Sequence, residues 1–350
     1  VPVAAYLSGG IDSTTTTSFI KKLQPDNLQT FSIGFQENEY DETSYQNEAS
    51  QHLGTLHKRC VCKNDDISSH FPKIIWHTEV PVVRTAPVPM YLLSRLVQEN
   101  NIKVVVTGEG ADEMLAGYNI FKETLVRHFW AKYPDSKYRP LLLKKLYPYI
   151  PYITRSNASV LKMFFGYRLK DTSNPFYSHL IRWNNTSKLN NLLSPEMFNG
   201  QYRDNPQEEL SSIIPDGFST WTPLAKSQFL ESSLFMSGYL LSSQGDRMAM
   251  AHSVEGRYPF LDHRIMEFAA LLPERLKLNG LNEKYLLKKL MEHQIPDGIV
   301  KRSKQAYRAP ISRMINGGKS SEINLEILSH SKLKRYGLFD PKKVNHLKSK

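Results

Sequence analysis

A short polar segment, SGGIDS at residues 8–13, lies between a run of apolar residues and a row of hydroxyl residues. Ser8, Gly9 and Gly10 would let the backbone turn tightly and present N–H groups to an anion, because a Cβ on either glycine would hold the backbone away from it. Asp12 would repel that anion unless a cation lay between them, so the segment predicts a phosphate site with a magnesium ion. A plain turn from strand to helix is the alternative for the Ser-Gly-Gly residues alone.

A second segment of this kind, TGEGADE at residues 107–113, follows a run of valines. Its acids would also suit the first turn of a helix, where the helix dipole favours negative charge. If the strands before the two segments belong to one sheet, Asp12 and Asp112 can face each other across a nucleotide and share one magnesium ion. The pattern G-x-x-x-x-G-K-[ST] does not occur, so transfer of a γ-phosphate group is not predicted.

The pattern of apolar residues indicates the elements that must position these segments. Over residues 1–120, short runs rich in Val and Ile alternate with helical patterns, which predicts an α/β fold with a parallel sheet and helices on both of its faces. Beyond residue 120 the strand pattern fades and helical periodicity dominates. We therefore expect a nucleotide-binding α/β core over residues 1–120 and a mainly helical region over residues 121–350.

The composition is that of an ordinary globular protein, with 40% hydrophobic and 23% charged residues among 350. No apolar run is long enough to span a bilayer and no signal-peptide pattern occurs, so a cytoplasmic location without a membrane partner is expected. The formal charge of +11 suits either a nucleic-acid binder or an enzyme that handles polyphosphate. A local basic cluster, typical of a solvated face, comprises Lys301, Arg302, Lys304 and Arg308.

The two cysteines and the first residue of the chain indicate what role the thiols have and whether the sequence is part of a longer protein. Cys60 and Cys62 are too few for a disulfide framework, and we interpret them as structural thiols. Because the chain begins with Val1 rather than Met, the sequence leaves open that it is part of a longer protein.

Six segments that follow one another between residue 3 and about residue 310 carry a family resemblance. They are YLSGGIDS, FSIGF, APVPMYLLSR, TGEGADEMLAGY, SVEGRYPFLD and NEKYLLKK. Together they resemble the synthetase domain of glutamine-dependent asparagine synthetase, within the N-type ATP pyrophosphatase superfamily. The resemblance implies a PP-loop fold of the adenine-nucleotide α-hydrolase type. The SGGIDS segment alone would equally suit argininosuccinate synthetase, GMP synthetase or tRNA-thiolating enzymes.

The resemblance also implies a role for each matching residue. The loop that holds the β,γ-pyrophosphate of ATP matches Ser8, Gly9, Gly10, Asp12 and Ser13, and the adenosine site matches Leu7, Ile33, Thr107 and Gly108. Asp12 and Asp112 match the aspartates that bind magnesium. Glu109 matches a glutamate of the ammonia step, and Lys284 matches a lysine that stabilises charge during adenylation. Arg84, Glu255 and Arg257 are weaker candidates for substrate contacts, since each could equally hold an internal salt bridge.

The reaction implied is ATP-dependent amide synthesis. The β-carboxylate of aspartate is adenylated with release of pyrophosphate, and ammonia then displaces AMP to give asparagine, so ATP, Mg²⁺, aspartate and ammonia are the expected ligands. The family's glutaminase domain, whose nucleophile is an N-terminal cysteine, is absent from this chain, and Cys60 and Cys62 fall inside the synthetase pattern. We therefore expect the chain to use free ammonia or ammonia from a glutaminase domain or subunit.

Several alternatives stay open at this point. Relatives that form β-lactam rings or peptide macrocycles adenylate other carboxylates in the same way, although Glu109 favours ammonia as the nucleophile. A nucleic-acid-modifying ATP pyrophosphatase should carry an RNA-binding module or a reactive cysteine, and neither is found, so nucleic acid is not expected as a partner. A non-catalytic nucleotide-binding protein and a homodimer are also left open. Residues 301–309 are predicted to form a mobile lid whose basic residues reach the phosphates.

Overall fold

The structure, a computed structural model, describes residues 1–37, 39–198, 206–305, 307, 309 and 325–348. Within them, five strands form one parallel sheet in the order β3-β2-β1-β4-β5. The strands are β1 (Val3–Tyr6), β2 (Gln29–Phe35), β3 (Leu56–Cys62), β4 (Val104–Val106) and β5 (Glu255–Arg257). Two short strands, β6 (Leu278–Asn279) and β7 (Asn282–Glu283), pair antiparallel.

Helices fill the connections between strands and extend through the rest of the described chain. Up to residue 131 they are α1 (Ile11–Leu23), α2 (Thr43–Leu53), α3 (Asn64–Thr78), α4 (Pro87–Glu99), α5 (Ala111–Met114) and α6 (Asn119–Ala131). The next are α7 (Pro151–Arg155), α8 (Ala158–Phe165), α9 (Leu180–Ser187), α10 (Pro195–Phe198), α11 (Pro206–Ser211) and α12 (Pro223–Leu230). The remaining ones are α13 (Arg247–Met250), α14 (His263–Leu271), α15 (Glu274–Lys277), α16 (Tyr285–Met291), α17 (Asp297–Lys301), α18 (His330–Tyr336) and α19 (Pro341–Lys348). A π-helical segment spans Glu231–Asp246, and short 3₁₀ turns span Arg139–Lys145, Lys188–Leu192, Phe218–Thr220 and Pro259–Leu261.

Apolar side chains pack against both faces of the parallel sheet. Leu7, directly after β1, packs with Ile11 of α1 in one cluster. Ile33 of β2 packs with Ile74 of α3 and Leu92 of α4 in another. The predicted fold class, a parallel sheet covered by helices on both faces, is therefore confirmed.

The hydroxyl residues of α1 are buried although they are polar. Thr14 Oγ1 donates to Gly10 O at 2.8 Å, and Thr17 Oγ1 donates to Ser13 O at 2.7 Å. Thr16 Oγ1 likewise donates to Ser13 O at 3.0 Å. Because these three hydroxyls bond to carbonyl groups of their own helix, they can be buried with their hydrogen bonds made. Thr15 Oγ1, in the same row, is buried without a hydrogen-bond partner among the described residues.

The described chain forms two compact units, each made of two segments. Unit 1 holds the described residues of Val1–Asn119 and Gln228–Gly318, and it contains the whole parallel sheet. Unit 2 holds those of Ile120–Ser227 and Lys319–Lys350. The predicted division into a core over residues 1–120 and a helical region over residues 121–350 stays a prediction. Strand β5 lies in the later region, where the sequence indicated no strand.

A buried guanidinium group joins several segments of unit 2. Arg127 is fully buried and donates to the carbonyl groups of Phe165, Tyr167 and Tyr177 at 3.2, 2.7 and 3.0 Å. Its guanidinium carbon also lies 4.2 Å from the centre of the Tyr177 ring. One cationic side chain thereby ties α6 to the loops around α8 and α9.

None of the helices in the described ranges is both long enough and apolar enough to cross a membrane.

Candidate functional site

Two loops meet at the carboxyl edge of the sheet because β1 and β4 are neighbours. Ala5 of β1 pairs with Val106 of β4, so the chain leaves both strands at nearly the same level. β2 and β4 lie on opposite sides of β1, which makes this the point where the strand order reverses. Ligands of open α/β sheets bind in the crevice at such a point. The strands that precede residues 8–13 and 107–113 therefore belong to one sheet, which is what the sequence argument required for the two segments to meet.

The loop after β1 is closed by its own hydroxyl groups. The Ser8 N–H donates to Ser13 Oγ at 3.1 Å, and the two serine hydroxyl oxygens lie 2.9 Å apart. Ser13 Oγ also donates to Gly10 O at 3.2 Å. Helix α1 begins at Ile11 and runs for 13 residues. The loop is thus a compact turn at the positive end of a helix, where backbone N–H groups and the helix dipole favour an anion.

Close approach of the backbone explains two glycines of these loops. Gly9 has a φ of +74°, and a Cβ there would lie 2.6 Å from Tyr45 Cβ at the start of α2. A Cβ on Gly108 would lie 2.8 Å from Asp12 Cβ and from Ser13 N. These contacts are inside the protein, so the glycines also permit the two loops and α2 to pack together. That reason is additional to the phosphate argument made from the sequence.

A buried lysine joins the two aspartates. Lys284 Nζ lies 2.5 Å from Asp12 Oδ2 and 2.6 Å from Asp112 Oδ1, and its side chain is only 1% exposed. Because one ammonium group reaches both carboxylates, the two aspartates converge on a single point. Three residues that matched the family pattern, from three distant parts of the chain, are therefore in direct contact.

The backbone of Lys284 is held in a strained conformation. Its φ is +51°, in the left-handed region that non-glycine residues seldom adopt. The Lys284 N–H donates to Leu115 O at 3.2 Å, and a Cβ on Gly117 would lie 2.3 Å from Lys284 Cε. Strain of this kind persists only where the surrounding structure enforces it, and it is concentrated at functional sites. Here a backbone hydrogen bond fixes the lysine and a glycine leaves room for its side chain.

A second lysine, Lys304, lies beside the same carboxylates. Its Nζ is 2.6 Å from Asp112 Oδ2 and 3.9 Å from Asp12 Oδ2. Burial by itself would raise the pKa of Asp112, but Lys284 and Lys304 together outweigh burial and lower that pKa. Burial raises the pKa of Asp12, for which Lys284 is the one hydrogen-bonding side chain among the described residues. Burial would lower the pKa of Lys304, but the aspartates raise it, so this lysine stays charged at neutral pH.

An unpartnered carboxylate oxygen shows whether the residues of this site fit a metal ion. Asp12 Oδ1 is buried and accepts no hydrogen bond from the described part of the chain. Mg²⁺ prefers oxygen ligands and commonly takes one or two carboxylates together with phosphate oxygens and water. Two converging carboxylates with an unpartnered oxygen fit that ion, and Asp12 and Asp112 are the residues that would hold it. Among the described residues no group of three or more His, Cys, Asp or Glu could hold a metal, so phosphate would have to complete the shell.

Two glutamates follow β4 next to these aspartates. The Glu109 N–H donates to Thr107 Oγ1 at 3.2 Å, and burial raises the pKa of the Glu109 carboxyl, with Lys304 acting in the opposite direction. Burial, together with the charge of Asp112, raises the pKa of Glu113 to about 8, and the Tyr118 hydroxyl donates to Glu113 Oε1 at 2.8 Å. A carboxylate whose pKa is raised toward neutrality is suited to accept a proton during a reaction. Glu109, which lines the same cavity as the lysines, is the better placed of the two.

One cavity of unit 1 gathers most of the residues predicted from the sequence. Those that line it are Leu7, Ser8, Gly10, Asp12, Ser13, Ile33, Thr107, Gly108, Glu109, Asp112 and Lys284. Gly9 belongs to the same loop and packs toward Tyr45. Other lining residues are apolar, among them Phe35, Met90 and Leu93. A lining that combines apolar side chains with charged groups suits a nucleotide, which has an apolar base and anionic phosphates.

The three weaker candidates lie elsewhere. Glu255 and Arg257 form an ion pair of 2.6 Å with each other, and both side chains are exposed. The Arg84 guanidinium carbon lies 5.3 Å from the centre of the Phe235 ring. None of the three is among the described residues that line the cavity. For Glu255 and Arg257, the structure has the internal salt bridge that the sequence left open.

The two cysteines have the character of structural thiols. Burial raises the pKa of Cys60 to about 11 and that of Cys62 to about 12. Since the thiolate is the nucleophile, thiols that stay protonated at neutral pH are chemically inert.

The basic cluster after α17 is only partly the solvated face that the sequence suggested. Lys301 is exposed and pairs with Asp297 on its own helix at 2.6 Å. Lys304 instead enters the site. Arg308 and Ala306 lie outside the described residues, so the predicted lid over residues 301–309 stays a prediction.

Arg302 is the other residue of the basic cluster that lies at the site, although neither Arg302 nor Lys304 was among the site residues named from the sequence. It forms an ion pair with Glu42, its guanidinium carbon lies 4.1 Å from the centre of the Tyr45 ring, and its Nη1 donates to Gly9 O at 3.5 Å. Arg302 and Lys304 are two residues apart, so in an extended chain both side chains point to one side. That spacing within KRSKQAYRA was a signal available in the sequence.

Comparison with known proteins gives a family for this chain. The model of the family described as asparagine synthase matches residues 1–350. The chain is 29% identical to asparagine synthetase [glutamine-hydrolyzing] 1 of Bacillus subtilis over 89% of its length, and this match covers 47% of that protein. It is also 29% identical to amidase chyE of Penicillium rubens over 89% of its length and 49% of that protein. A putative asparagine synthetase [glutamine-hydrolyzing] of Mycobacterium tuberculosis is 28% identical over 92% of the chain and 47% of that protein.

The chain spans about half the length of the curated relatives that it matches. The match to the family model, in contrast, runs from the first residue to the last, and it includes both loops and both lysines of the site. The chain therefore belongs to the asparagine synthase family.

Proposed function

We propose that this chain synthesises an amide in two steps, adenylating the β-carboxylate of aspartate with ATP and then transferring the acyl group to ammonia. The observation that carries the proposal is the convergence of Asp12, Asp112 and Lys284 at the carboxyl ends of β1 and β4. This arrangement holds a polyphosphate at a helix N-terminus without the P-loop lysine of enzymes that transfer a γ-phosphate. Membership of the asparagine synthase family supports ATP as the substrate.

In the first step a carboxylate oxygen attacks the α-phosphorus of ATP. The bond from that phosphorus to the oxygen bridging to the β-phosphate breaks, and pyrophosphate leaves with the electron pair. N–H groups of residues 8–10 and the positive end of α1 would hold the leaving group, and the Lys284 ammonium would neutralise its growing charge. A magnesium ion, when held by Asp12 and Asp112, supplies further charge neutralisation on phosphate oxygens.

In the second step the nitrogen of ammonia attacks the acyl carbon of the adenylate, and AMP leaves. The attacking nitrogen must lose a proton before the amide is complete. Glu109 supplies a carboxylate for that proton, because burial raises its pKa and it lines the same cavity as Lys284. Ammonia would come from solution or from a glutaminase domain or subunit, as the bracketed part of the Bacillus subtilis relative's name suggests.

Aspartate is the acceptor that the relatives named asparagine synthetase favour. A relative of equal identity is named an amidase, so another carboxylate acceptor is the second candidate. The two candidates share the adenylation step and differ only in the acid that enters the site.

The test is to measure pyrophosphate and AMP formed from ATP and Mg²⁺ with aspartate, with and without ammonium, while detecting asparagine directly. We expect pyrophosphate release that depends on aspartate, and asparagine only when ammonium is present. Glu109→Gln should keep pyrophosphate exchange and lose amide formation, whereas Lys284→Met should lose both. Lys289→Met is the matched control, because Lys289 is an exposed lysine on the adjoining helix α16 that pairs with Glu292.

Two results would contradict the proposal. Pyrophosphate release with other carboxylates but not with aspartate would replace the acceptor and keep the adenylation chemistry. Release of inorganic phosphate and ADP instead of pyrophosphate and AMP would refute the adenylation chemistry itself.

A further inference from the structure

One row of side chains crosses the parallel sheet at the level of the cavity. Ala5 of β1 pairs with Val106 of β4, and Val106 pairs with Arg257 of β5. The residue that follows each of them therefore lies at one level of the sheet. Because side chains at one level point to one face, the row shares the face that α4 covers, where its first member packs with the apolar cluster that includes Leu93. The members of this row are Tyr6, Thr107 and Tyr258.

The Tyr258 hydroxyl joins this row to the end of the π-helical segment. It donates to Asp246 Oδ1 at 2.5 Å, and a Cβ on Gly245 would lie 3.5 Å from it. Burial and the hydrogen bond to Asp246 raise the pKa of Tyr258, and the nearby charge of Glu109 adds to the rise. Gln244, the residue before Gly245, lines the cavity. The end of the π-helical segment, a geometry frequent at functional sites, thus lies at the same part of the cavity as Glu109.

Two uncharged polar groups in this part of the cavity have unused hydrogen-bonding capacity. Gln244 is 8% exposed, and its side-chain amide makes no hydrogen bond to the residues that the structure describes. The Tyr6 hydroxyl is buried and also lacks a partner among them. Their neighbours in the lining include the apolar side chains of Phe31 and Met90. Because an unpaired buried polar group costs free energy, a ligand that pairs with both groups gains affinity and orientation here.

The position beside Glu109 indicates which part of the substrate these groups meet. In the second step of the proposed reaction, the acyl carbon lies near Glu109, so the rest of the acid extends to the side chains around it. Lys284 is held by the aspartates and is assigned to the phosphates, so its charge is already used. A second carboxylate on the acid would therefore be held by neutral donors. A side-chain amide and a phenolic hydroxyl can both donate to it.

We propose that Gln244 is a specificity-determining residue for the acid, whose side-chain amide donates to the α-carboxylate of aspartate, with the Tyr6 hydroxyl as a second donor. This inference rests on the proposed function, since it names the residues that hold the far end of the same substrate. It predicts that the protein distinguishes acids by the α-carboxylate rather than by the α-amino group.

The experiment measures ATP–pyrophosphate exchange with aspartate, succinate and β-alanine in turn. Succinate is aspartate without its α-amino group, and β-alanine is aspartate without its α-carboxylate. We expect the wild-type KM to be lower for aspartate and succinate than for β-alanine by about 10- to 100-fold, the effect of one hydrogen bond to a charged group. Gln244→Ala should raise the KM for aspartate and succinate by that factor. It should leave the KM for β-alanine and for ATP unchanged, which also shows that the variant is folded.

Three further variants sharpen the test. Gln244→Glu keeps the shape of the side chain but sets a carboxylate against a carboxylate, so it should raise the KM for aspartate at least as much as Gln244→Ala. Tyr6→Phe removes only the hydroxyl and should raise the KM for the same two acids. Gln98→Ala is the matched control, because Gln98 is an exposed glutamine on α4, and it should behave as wild type with all three acids.

The outcomes separate this inference from the proposed function. If wild type makes asparagine and Gln244→Ala keeps the full preference for aspartate over β-alanine, the role of Gln244 alone is overturned. An equal rise of the KM for ATP would also overturn it, because Gln244 would then serve the nucleotide. Exchange with succinate but not aspartate, lost in Gln244→Ala, would support Gln244 and refute the proposed acceptor. Exchange with β-alanine alone, or with none of the three acids, would overturn both.

Discussion

Three glycines allow the geometry of the candidate site to be tested with single methyl groups. Gly9 combines a φ of +74° with a Cβ position 2.6 Å from the backbone of Tyr45. Gly54, at the end of α2, has a similar φ of +61° but nothing within 4 Å of its Cβ position. Gly108 has no positive φ, yet its Cβ would lie 2.8 Å from Asp12. Alanine at these positions therefore separates backbone strain from steric overlap.

The magnitudes follow from the two effects. An alanine held in the left-handed region costs about 1 kcal/mol, so Gly54→Ala should lower the free energy of unfolding by about that amount. Overlap with backbone atoms that cannot rotate away adds about 1–3 kcal/mol, as overpacking in a core does. We expect about 3 kcal/mol for Gly9→Ala and about 2 kcal/mol for Gly108→Ala. Both should also weaken ATP binding by about tenfold or more, because each displaces one of the two loops.

Urea unfolding gives the stability of each variant, and ATP titration with Mg²⁺ gives the affinity. Gly54→Ala should lose stability and keep ATP affinity, because it lies away from the cavity. Gly108→Ala with wild-type stability and wild-type affinity would refute the close approach of the loop after β4 to α1. Equal behaviour of Gly9→Ala and Gly54→Ala would refute the steric argument for Gly9.

Three further perturbations test the buried charges. Lys284→Met leaves two buried aspartates with one lysine and should lower the free energy of unfolding by about 3 kcal/mol at pH 8. The loss should be smaller at pH 5, where the aspartates can be protonated. Equal losses at both pH values in urea unfolding would contradict this. The pKa of Glu113 is raised to about 8 in the folded state, so between pH 5 and 8 the folded protein keeps a proton that the unfolded chain releases. The free energy of unfolding therefore falls as the pH rises through this range, by up to about 1.4 kcal/mol per pH unit. Glu113→Gln should remove that slope from a series of urea titrations, and an unchanged slope would assign it elsewhere. Arg127→Lys should lower thermal stability by about 2 kcal/mol or more, because the three donors of an ammonium group share one nitrogen and cannot span carbonyl groups that three separate guanidinium nitrogens reach; a melting temperature equal to wild type would argue against that network.

Local patterns were sufficient for the longer elements of residues 1–120 and for the residues of the two loops. Residues 56–62, LHKRCVC, form β3 within the region where the sequence predicts strands alternating with helices, and Gly54 ends α2 in the left-handed conformation that favours glycine. SGGIDS and TGEGADE each follow a buried strand, as their flanking apolar runs indicated. Such features depend on the residues next to each other in the chain, which is why they can be read from it.

Short elements and long-range contacts could not be predicted in this way. Strand β5 has three residues, Glu255–Arg257, and two of them are charged, so only its pairing with β4 makes it a strand. The partners of Lys304 lie nearly 200 and 300 residues earlier, and a lysine in a basic cluster has no local sign of burial.

The sequence by itself determined the α/β class, the glycines and acids of two loops, and the order of segments that indicates the family. The tertiary structure alone decided that β1 and β4 are neighbours, that Asp12 and Asp112 converge on Lys284, and that Lys304 joins them. The physical reason is that secondary structure and turns follow from local periodicity and backbone freedom, whereas pairing of buried charges depends on which strands lie side by side. The cost of leaving a buried charge unpaired then fixes those contacts across the chain.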